Sequence, residues 1–139
     1  MNINKIFNKF DKEQYKKVDI PSIEDTPIYW IGMFKKIILY KDEFKERILH
    51  FIKEIGLEDK IKDPEGDSKH LAFIRAYYYL NKLSPENPLH ADFIKSQSDN
   101  NLKKALEQTK LHFENIEEYE KCAHIRKIQI VLKDNLEEY

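Results

Sequence analysis

The stretch from Ser98 to Leu136 contains neither glycine nor proline, and apolar side chains recur through it at steps of three or four residues. Such spacing lays an apolar stripe along one side of a helix. Two stripes follow each other, and Ile130 and Val131 widen the second. The first consists of Leu102, Leu106, Thr109, Phe113 and Ile116, with Ala105 beside it, and the second of Tyr119, Cys122, Ala123, Ile125, Ile128, Leu132 and Leu136.

We therefore predict a C-terminal helical hairpin over residues 98–136. Ser98 or Asp99 is expected to cap its first helix, because a side-chain oxygen there can accept from the free N–H groups of the first turn. Asn115 is the expected turn residue, since asparagine tolerates the left-handed conformation that ends many helices. The alternative is one unbroken helix, which would be far longer than the average of about 12 residues in globular domains.

The composition favours one domain, residues 1–139, built from long elements, because only 3 glycines and 5 prolines are present. The 24 Lys and Arg residues nearly balance the 25 Asp and Glu residues, for a net charge of −1. Bulk electrostatics therefore attract neither nucleic acid nor an anionic membrane. The single cysteine, Cys122, excludes an internal disulfide, and the longest apolar run, Pro27–Phe34, is too short to span a membrane. We expect a cytoplasmic protein.

Residues before the hairpin divide into further helices. Apolar spacing predicts a short amphipathic helix over residues 3–18. Thr26–Pro27 has the pattern of an N-cap followed by proline at the first helical position. A helical period then continues to Gly56, and a bend at Gly32 or a restart at Asp42 would divide this long segment.

Residues 63–68 have the composition of a loop, from which Asp67 or Ser68 is expected to cap the next helix. That helix, Leu71 to Leu83, is apolar nearly all round, which is typical of the central and most buried helix of a domain. We accordingly expect Ile74 to lie in the core.

A further short helix is predicted after Asn87–Pro88, before the hairpin. No segment alternates apolar and polar residues as a half-buried strand does. The sequence therefore predicts an all-α fold of five to seven helices.

Residues able to bind metals do not form the patterns of known sites. Asp63, Glu65 and Asp67 alternate as in a calcium loop, but Ile74 stands where that loop requires a bidentate glutamate. No histidine belongs to an HExxH or a Glu-x-x-His pattern. We predict no metal and no cofactor. The histidines are His50, His70, His90, His112 and His124.

Catalytic and phosphate-binding patterns are also absent from the sequence. Cys122 and His124 would point about 200° apart on a helix, so Cys122 is expected to be a core residue. The three glycines are isolated and form no phosphate-binding loop. Arg75, beside three tyrosines, fits a base-stacking site or an arginine that extends from a buried helix, and we favour the second interpretation. We predict no catalytic residue.

One segment resembles a known motif. Tyr119, Glu120, the small pair Cys122–Ala123, Ile125–Arg126 and Leu132 follow the order of the UVR motif. This motif is the helical hairpin at the ends of the bacterial excision-repair proteins UvrB and UvrC and in McsA-type regulators. The resemblance implies docking to another protein. Two positions depart from the motif, Lys127 in place of its acid and Gln129 in place of an aliphatic residue.

Three hypotheses for function follow. The first is a non-enzymatic adaptor or regulator that docks another protein through the hairpin. The second is an inhibitor, such as a toxin-immunity or phage anti-defence protein, that acts by binding its target. The third is an enzyme with a scattered site near Glu46, His50 and Glu54, which also suit ordinary surface pairs.

The expected partner-binding residues cluster at the predicted turn, where acids surround an aromatic anchor that would attract a basic protein. The alternative is a purely structural role for these acids, because acidic side chains near a helix N-terminus interact favourably with the helix dipole. The residues are Glu114, Glu117, Glu118, Tyr119, Glu120 and Arg126.

Overall fold

Six α-helices make up most of the chain that the computed structural model describes, residues 22–137 with side chains to residue 133. Of the described residues, 78% are helical and none lies in a strand, which confirms the predicted all-α fold of five to seven helices. The helix predicted over residues 3–18 lies outside this range. No described helix has both the length and the apolar content needed to cross a membrane. The helices, preceded by a 3-10 turn at Ile23–Asp25, are α1 (Pro27–Leu39), α2 (Lys41–Glu54), α3 (Pro64–Leu80), α4 (Pro88–Ser96), α5 (Asn100–Asn115) and α6 (Tyr119–Glu137).

Three helices begin with the capping chemistry that the sequence predicts. The Thr26 side chain accepts from the Tyr29 N–H, and Pro27 occupies the first position of α1. Asn87 caps α4 in the same way. Of the two candidates for α5, Asp99 is the cap, and its carboxylate accepts from the Leu102 N–H at 2.7 Å.

The long segment after Pro27 breaks at Tyr40, a single residue between α1 and α2. The restart at Lys41 is one residue from the predicted restart at Asp42, whereas α1 continues through Gly32 without interruption. Gly56, which follows α2, has a φ of +75°. Glycine adopts this left-handed conformation without steric cost, so it ends the helix where expected.

The predicted loop at residues 63–68 is wrong, because α3 already begins at Pro64. Asp63, rather than Asp67 or Ser68, is the cap, and its carboxylate accepts from the Gly66 N–H at 3.1 Å. A Cβ atom at Gly66 would collide with that carboxylate, which explains why glycine is tolerated inside the first turn.

The core is built around α1, which contacts α2, α3, α4 and α5. Ile31, Phe34 and Ile38 lie one turn apart on its inner side and are at most 2% exposed. They join a single cluster of buried residues drawn from α1, α3, α4, α5 and α6. The central position therefore belongs to α1 as much as to α3.

Helix α3 buries one side only, contrary to prediction. Ala72, Phe73, Ala76 and the residues around them face the core. The other side is open to solvent, and the prediction that Ile74 lies in the core is wrong, since it is 42% exposed. The helix also ends at Leu80 rather than Leu83, although Leu83 remains buried.

The predicted hairpin is confirmed by α5 and α6, which pack against each other, and the unbroken helix is excluded. The middle of each apolar stripe is buried, including Leu106 and Ile125. The second stripe was predicted too wide, since Ile130 on its flank is 56% exposed. Ile116 and Tyr119 at the turn are exposed, and so is Ala123 of the small pair, so only Cys122 packs toward α5.

The two sides of α3 offer a matched test of this packing. Leu80→Ala should lower the free energy of unfolding by about 2–5 kcal/mol, because it removes methylenes from a packed site that is 1% exposed. Leu71→Ala, the same change at a site 46% exposed, should cost less than about 1 kcal/mol. Urea denaturation measures both values, and equal losses would contradict the observed orientation of α3.

Candidate functional site

The candidate site is the turn between α5 and α6, which spans residues 116–118 and is closed by two backbone hydrogen bonds. The Glu118 N–H donates to the Phe113 carbonyl at 2.9 Å, and the Glu117 N–H donates to the Glu114 carbonyl at 3.1 Å. This pair of bonds forms the Schellman motif, which satisfies carbonyl groups left free at the end of a helix.

The left-handed residue of the turn is Glu117, with a φ of 61°. The prediction that Asn115 would adopt this conformation is wrong, because Asn115 remains the last helical residue of α5. Glycine usually occupies the left-handed position of a Schellman motif. A side chain there costs roughly 1–2 kcal/mol through contact of Cβ with the following carbonyl oxygen.

Residues 114–120, which we name the hairpin tip, combine exposed apolar and acidic side chains. Tyr119 is 65% exposed and Ile116 is 44% exposed. Glu114 is half-buried, whereas the remaining acids of the tip are exposed, namely Glu117, Glu118 and Glu120. The tip thus presents apolar surface bordered by negative charge.

Lys121 offsets part of the negative charge at the tip. Its Nζ lies 3.3 Å from the Glu118 carboxylate and also lies over the Tyr77 and Phe113 rings, 5.6 and 5.7 Å from their centroids. Arg126 is exposed on α6, two helical turns beyond Tyr119 and roughly 10 Å along the axis. The predicted partner-binding residues therefore share one end of the hairpin, with Arg126 at its margin.

Cys122 and His124 do not form a nucleophile and base pair. The Cys122 thiol lies 3.6 Å from the Lys110 carbonyl, and His124 Nε2 lies 2.9 Å from the Leu80 carbonyl. Burial raises the pKa of the Cys122 thiol, and the nearby Glu114 carboxylate raises it further. A thiol held protonated in this way is a poor nucleophile, which agrees with a packing role.

Two histidines contact each other where α3 meets α5. His70 Nδ1 lies 2.8 Å from His112 Nε2, and the His112 ring stacks on Phe73 with centroids 4.1 Å apart. Burial is the largest cause of a low pKa at His112, and together with electrostatic repulsion from His70 and Lys69 it brings this pKa to about 4. His112 is therefore neutral at physiological pH.

Other histidines also make contacts within the protein. The exposed His50 pairs with Glu54 at 3.0 Å, the ordinary surface pair that its spacing suggests, and His90 accepts from the Ser84 N–H. Across the described part of the chain, no three His, Cys, Asp or Glu side chains converge as a metal site would require.

Sequence reasoning missed a concave surface between α1, α2 and α3, which we name the three-helix cleft. Its volume is about 520 Å³. The only earlier signal was Arg75, whose position beside the tyrosines suggested base stacking. Apolar and charged residues line it, namely Met33, Lys36, Ile37, Tyr40, Glu43, Phe44, Arg47 and Arg75.

Comparison with known proteins gives no family for this chain, since no family model, curated protein or solved structure matches it. The functional proposals therefore rest on the geometry of the hairpin tip and of the cleft.

Glycine at the left-handed position should relieve strain in the turn. We expect Glu117→Gly to raise the free energy of unfolding by about 1 kcal/mol, because glycine adopts positive φ without the Cβ contact. Glu118→Gly, at the neighbouring residue, provides the comparison and should not stabilise the fold. Chemical denaturation measures both, and a destabilised Glu117→Gly protein would contradict the strain.

Acid should destabilise the fold through His112. Its pKa is near 6.5 in an unfolded chain and about 4 in the fold, so between these values the unfolded state binds the extra proton. The contribution of His112 to the free energy of unfolding is therefore at its full value above about pH 6.5 and is lost as the pH falls toward 4. We expect a loss on the order of 1–2 kcal/mol, less than the full linkage value because the ring is partly solvated.

The measurement is urea unfolding between about pH 4.5 and 7, a range that spans the His112 transition. His112→Gln should have a shallower pH dependence than the wild type, whereas His50→Gln, at the exposed surface pair, should keep the wild-type slope. Carboxyl groups titrate in all three proteins, so the difference between variants isolates His112. Equal slopes would contradict this assignment.

Proposed function

We propose that this protein is a small, non-enzymatic interaction module that docks another protein through its hairpin tip. The observation that supports the proposal most directly is the backbone of Glu117, held at a φ of 61° in the turn. A strained residue persists where the surrounding structure holds it, and such residues concentrate at functional sites. Glycine would satisfy the turn at lower cost, but it would remove an exposed carboxylate.

The side chains around this turn suit protein recognition. Tyr119 and Ile116 expose apolar surface in the middle of the tip, and the exposed acids surround it. Tyrosine is enriched among residues that dominate binding energy, and charge around such an anchor accelerates association with a partner of opposite sign. The chemistry of the tip therefore favours a partner with a basic surface and an apolar pocket.

The resemblance to UVR hairpins adds support of the same kind, because those hairpins are docking modules. Tyr119 takes the aromatic position of that motif, and it is the most exposed apolar side chain of the tip. Cys122 takes a small-residue position and lies against the first arm of the hairpin. Ala123, the other small residue, faces solvent and is free to contact a partner.

An inhibitor that binds a toxin or nuclease would use the same surface, and identification of the partner separates the two roles. Tagged full-length protein should recover a partner from cells of the source organism. A host protein complex would indicate an adaptor or regulator, and a foreign toxin or nuclease would indicate an inhibitor.

Charge reversal at the tip tests the docking surface. Combined Glu117→Lys and Glu118→Lys should slow association with the recovered partner by about tenfold or more at low salt, because the steering charge changes sign. The rate should also depend less on salt. Folding should change little, because the Glu118–Lys121 pair is a surface ion pair worth less than about 1 kcal/mol.

The matched control reverses two adjacent acids on another exposed loop, Glu58→Lys with Asp59→Lys. It changes the net charge by the same amount and should leave the association rate near the wild-type value. If the tip variant associates at the wild-type rate, or if both variants slow equally, the tip is not the docking surface.

A further inference from the structure

We propose that the three-helix cleft binds a small organic carboxylate with a flat apolar body, such as an aryl carboxylate. This site is separate from the hairpin tip, and the proposal does not depend on the docking function. It rests on the shape of the cleft, the charges at its rim and the geometry of Arg75.

The cleft has the size and lining of a small-molecule site. Its volume of about 520 Å³ lies within the range of roughly 300–1,000 Å³ that is usual for such sites. Met33 and Ile37 lie one turn apart on α1, and Phe44 faces them from α2. Tyr40, the single residue that joins the two helices, completes an apolar and aromatic floor. This floor suits a flat apolar ligand.

The rim of the cleft is positively charged. Lys36, Arg47 and Arg75 come from three different helices, and Glu43 is the one acid among the lining residues, so the local sum is +2. Three cations held this close to an apolar floor favour a ligand that brings a negative charge.

Two lysines next to the cleft are paired with acids. Lys35 pairs with Asp99 at 2.6 Å, and Lys45 pairs with Glu65 at 3.0 Å. Within residues 22–133, by contrast, no carboxylate lies within 4 Å of the charged nitrogens of the three rim cations. The charge at the rim is therefore available to a ligand.

Arg75 is placed to recognise a carboxylate. Its Cζ lies 5.5 Å from the Tyr78 ring centroid and 5.6 Å from that of Tyr79, and these contacts restrain the side chain. An arginine guanidinium offers paired N–H donors whose spacing matches the two oxygens of a carboxylate. Arg47 lines the same cleft from α2, so two arginines can approach one anion from different helices.

Two other occupants fit less well. Residues 1–21 contain five lysines and three acids, a net charge of +2, which is the same sign as the rim. The hairpin tip of a second copy has the opposite charge. It consists of two adjacent helices, each about 10 Å across, which need more space than a cleft of about 520 Å³ offers.

Calorimetric titration of the full-length protein with 2-naphthoate tests the proposal. The probe should bind with a stoichiometry of one, and neutral 2-naphthamide, which has the same ring, should bind at least about tenfold more weakly. Raising the salt to about 1 M, where the screening length falls to roughly 3 Å, should weaken naphthoate binding but not naphthamide binding. Backbone amide shifts in the NMR spectrum should concentrate at residues 33–47 and around Arg75.

Arg47→Gln and Arg75→Gln should each weaken naphthoate binding by about tenfold, because each removes a charged donor from the rim. Lys53→Gln removes one positive charge from α2 outside the cleft and should bind as the wild type does. Circular dichroism checks that all three variants remain folded, and Arg47→Lys and Arg75→Lys, which keep the charge, should restore part of the affinity.

Several results would overturn the proposal. They are no saturable binding of naphthoate at millimolar concentration, equal affinity for naphthamide, and wild-type binding by both arginine variants.

Sedimentation provides a further test. If the protein forms dimers that Arg47→Gln and the reversal of Glu117 and Glu118 both disrupt, the cleft belongs to a second copy of the chain.

Discussion

Burial of Ile31, Phe34 and Ile38 on one side of α1 is the interaction on which the rest of the structure depends. Each side chain is at most 2% exposed, and burial of such a group stabilises a fold by about 1.5–3 kcal/mol. Helix α1 contacts α2, α3, α4 and α5, and its stripe joins the core cluster drawn from α3, α4, α5 and α6. The Lys35–Asp99 pair at 2.6 Å adds a polar contact between α1 and the cap of α5. The hairpin and the three-helix cleft are therefore both positioned by α1.

The hairpin combines a well-packed interior with a strained and exposed end. Phe113 and Ile125 are fully buried in the core. Cys122 is buried near the turn, with its thiol 3.6 Å from the Lys110 carbonyl of the first arm. Packing of this kind gives the stability that allows Glu117 to remain at a φ of 61°. Between Phe113 and Cys122 the apolar side chains Ile116 and Tyr119 are exposed to solvent. The arrangement explains how a rigid support and a chemically distinct tip arise within one short segment.

Charge is separated on this molecule although its net charge is only −1. Acids gather at the hairpin tip, whereas Lys36, Arg47 and Arg75 surround the cleft between α1, α2 and α3. A composition that balances overall produces only a weak long-range field around the protein. It does not report local fields, which act over distances of about 8–10 Å at physiological salt. The tip is thus locally negative and the cleft locally positive, a difference that the net charge does not show.

The sequence by itself determined the features that depend on a few neighbouring residues. The cap at Thr26, the left-handed glycine at position 56 just after α2 and the all-α class all follow from local hydrogen bonding and helical spacing. Tertiary structure decided which side of an apolar helix is covered, and it left Ile74 exposed, because burial depends on helices distant in the sequence. The cleft could not be predicted for the same reason, since its two arginines line one surface only when α2 packs on α3. Tertiary structure also decided which residue of the turn is left-handed. The hydrogen bonds of the turn and the packing of the two arms place Glu117, rather than Asn115, in that conformation.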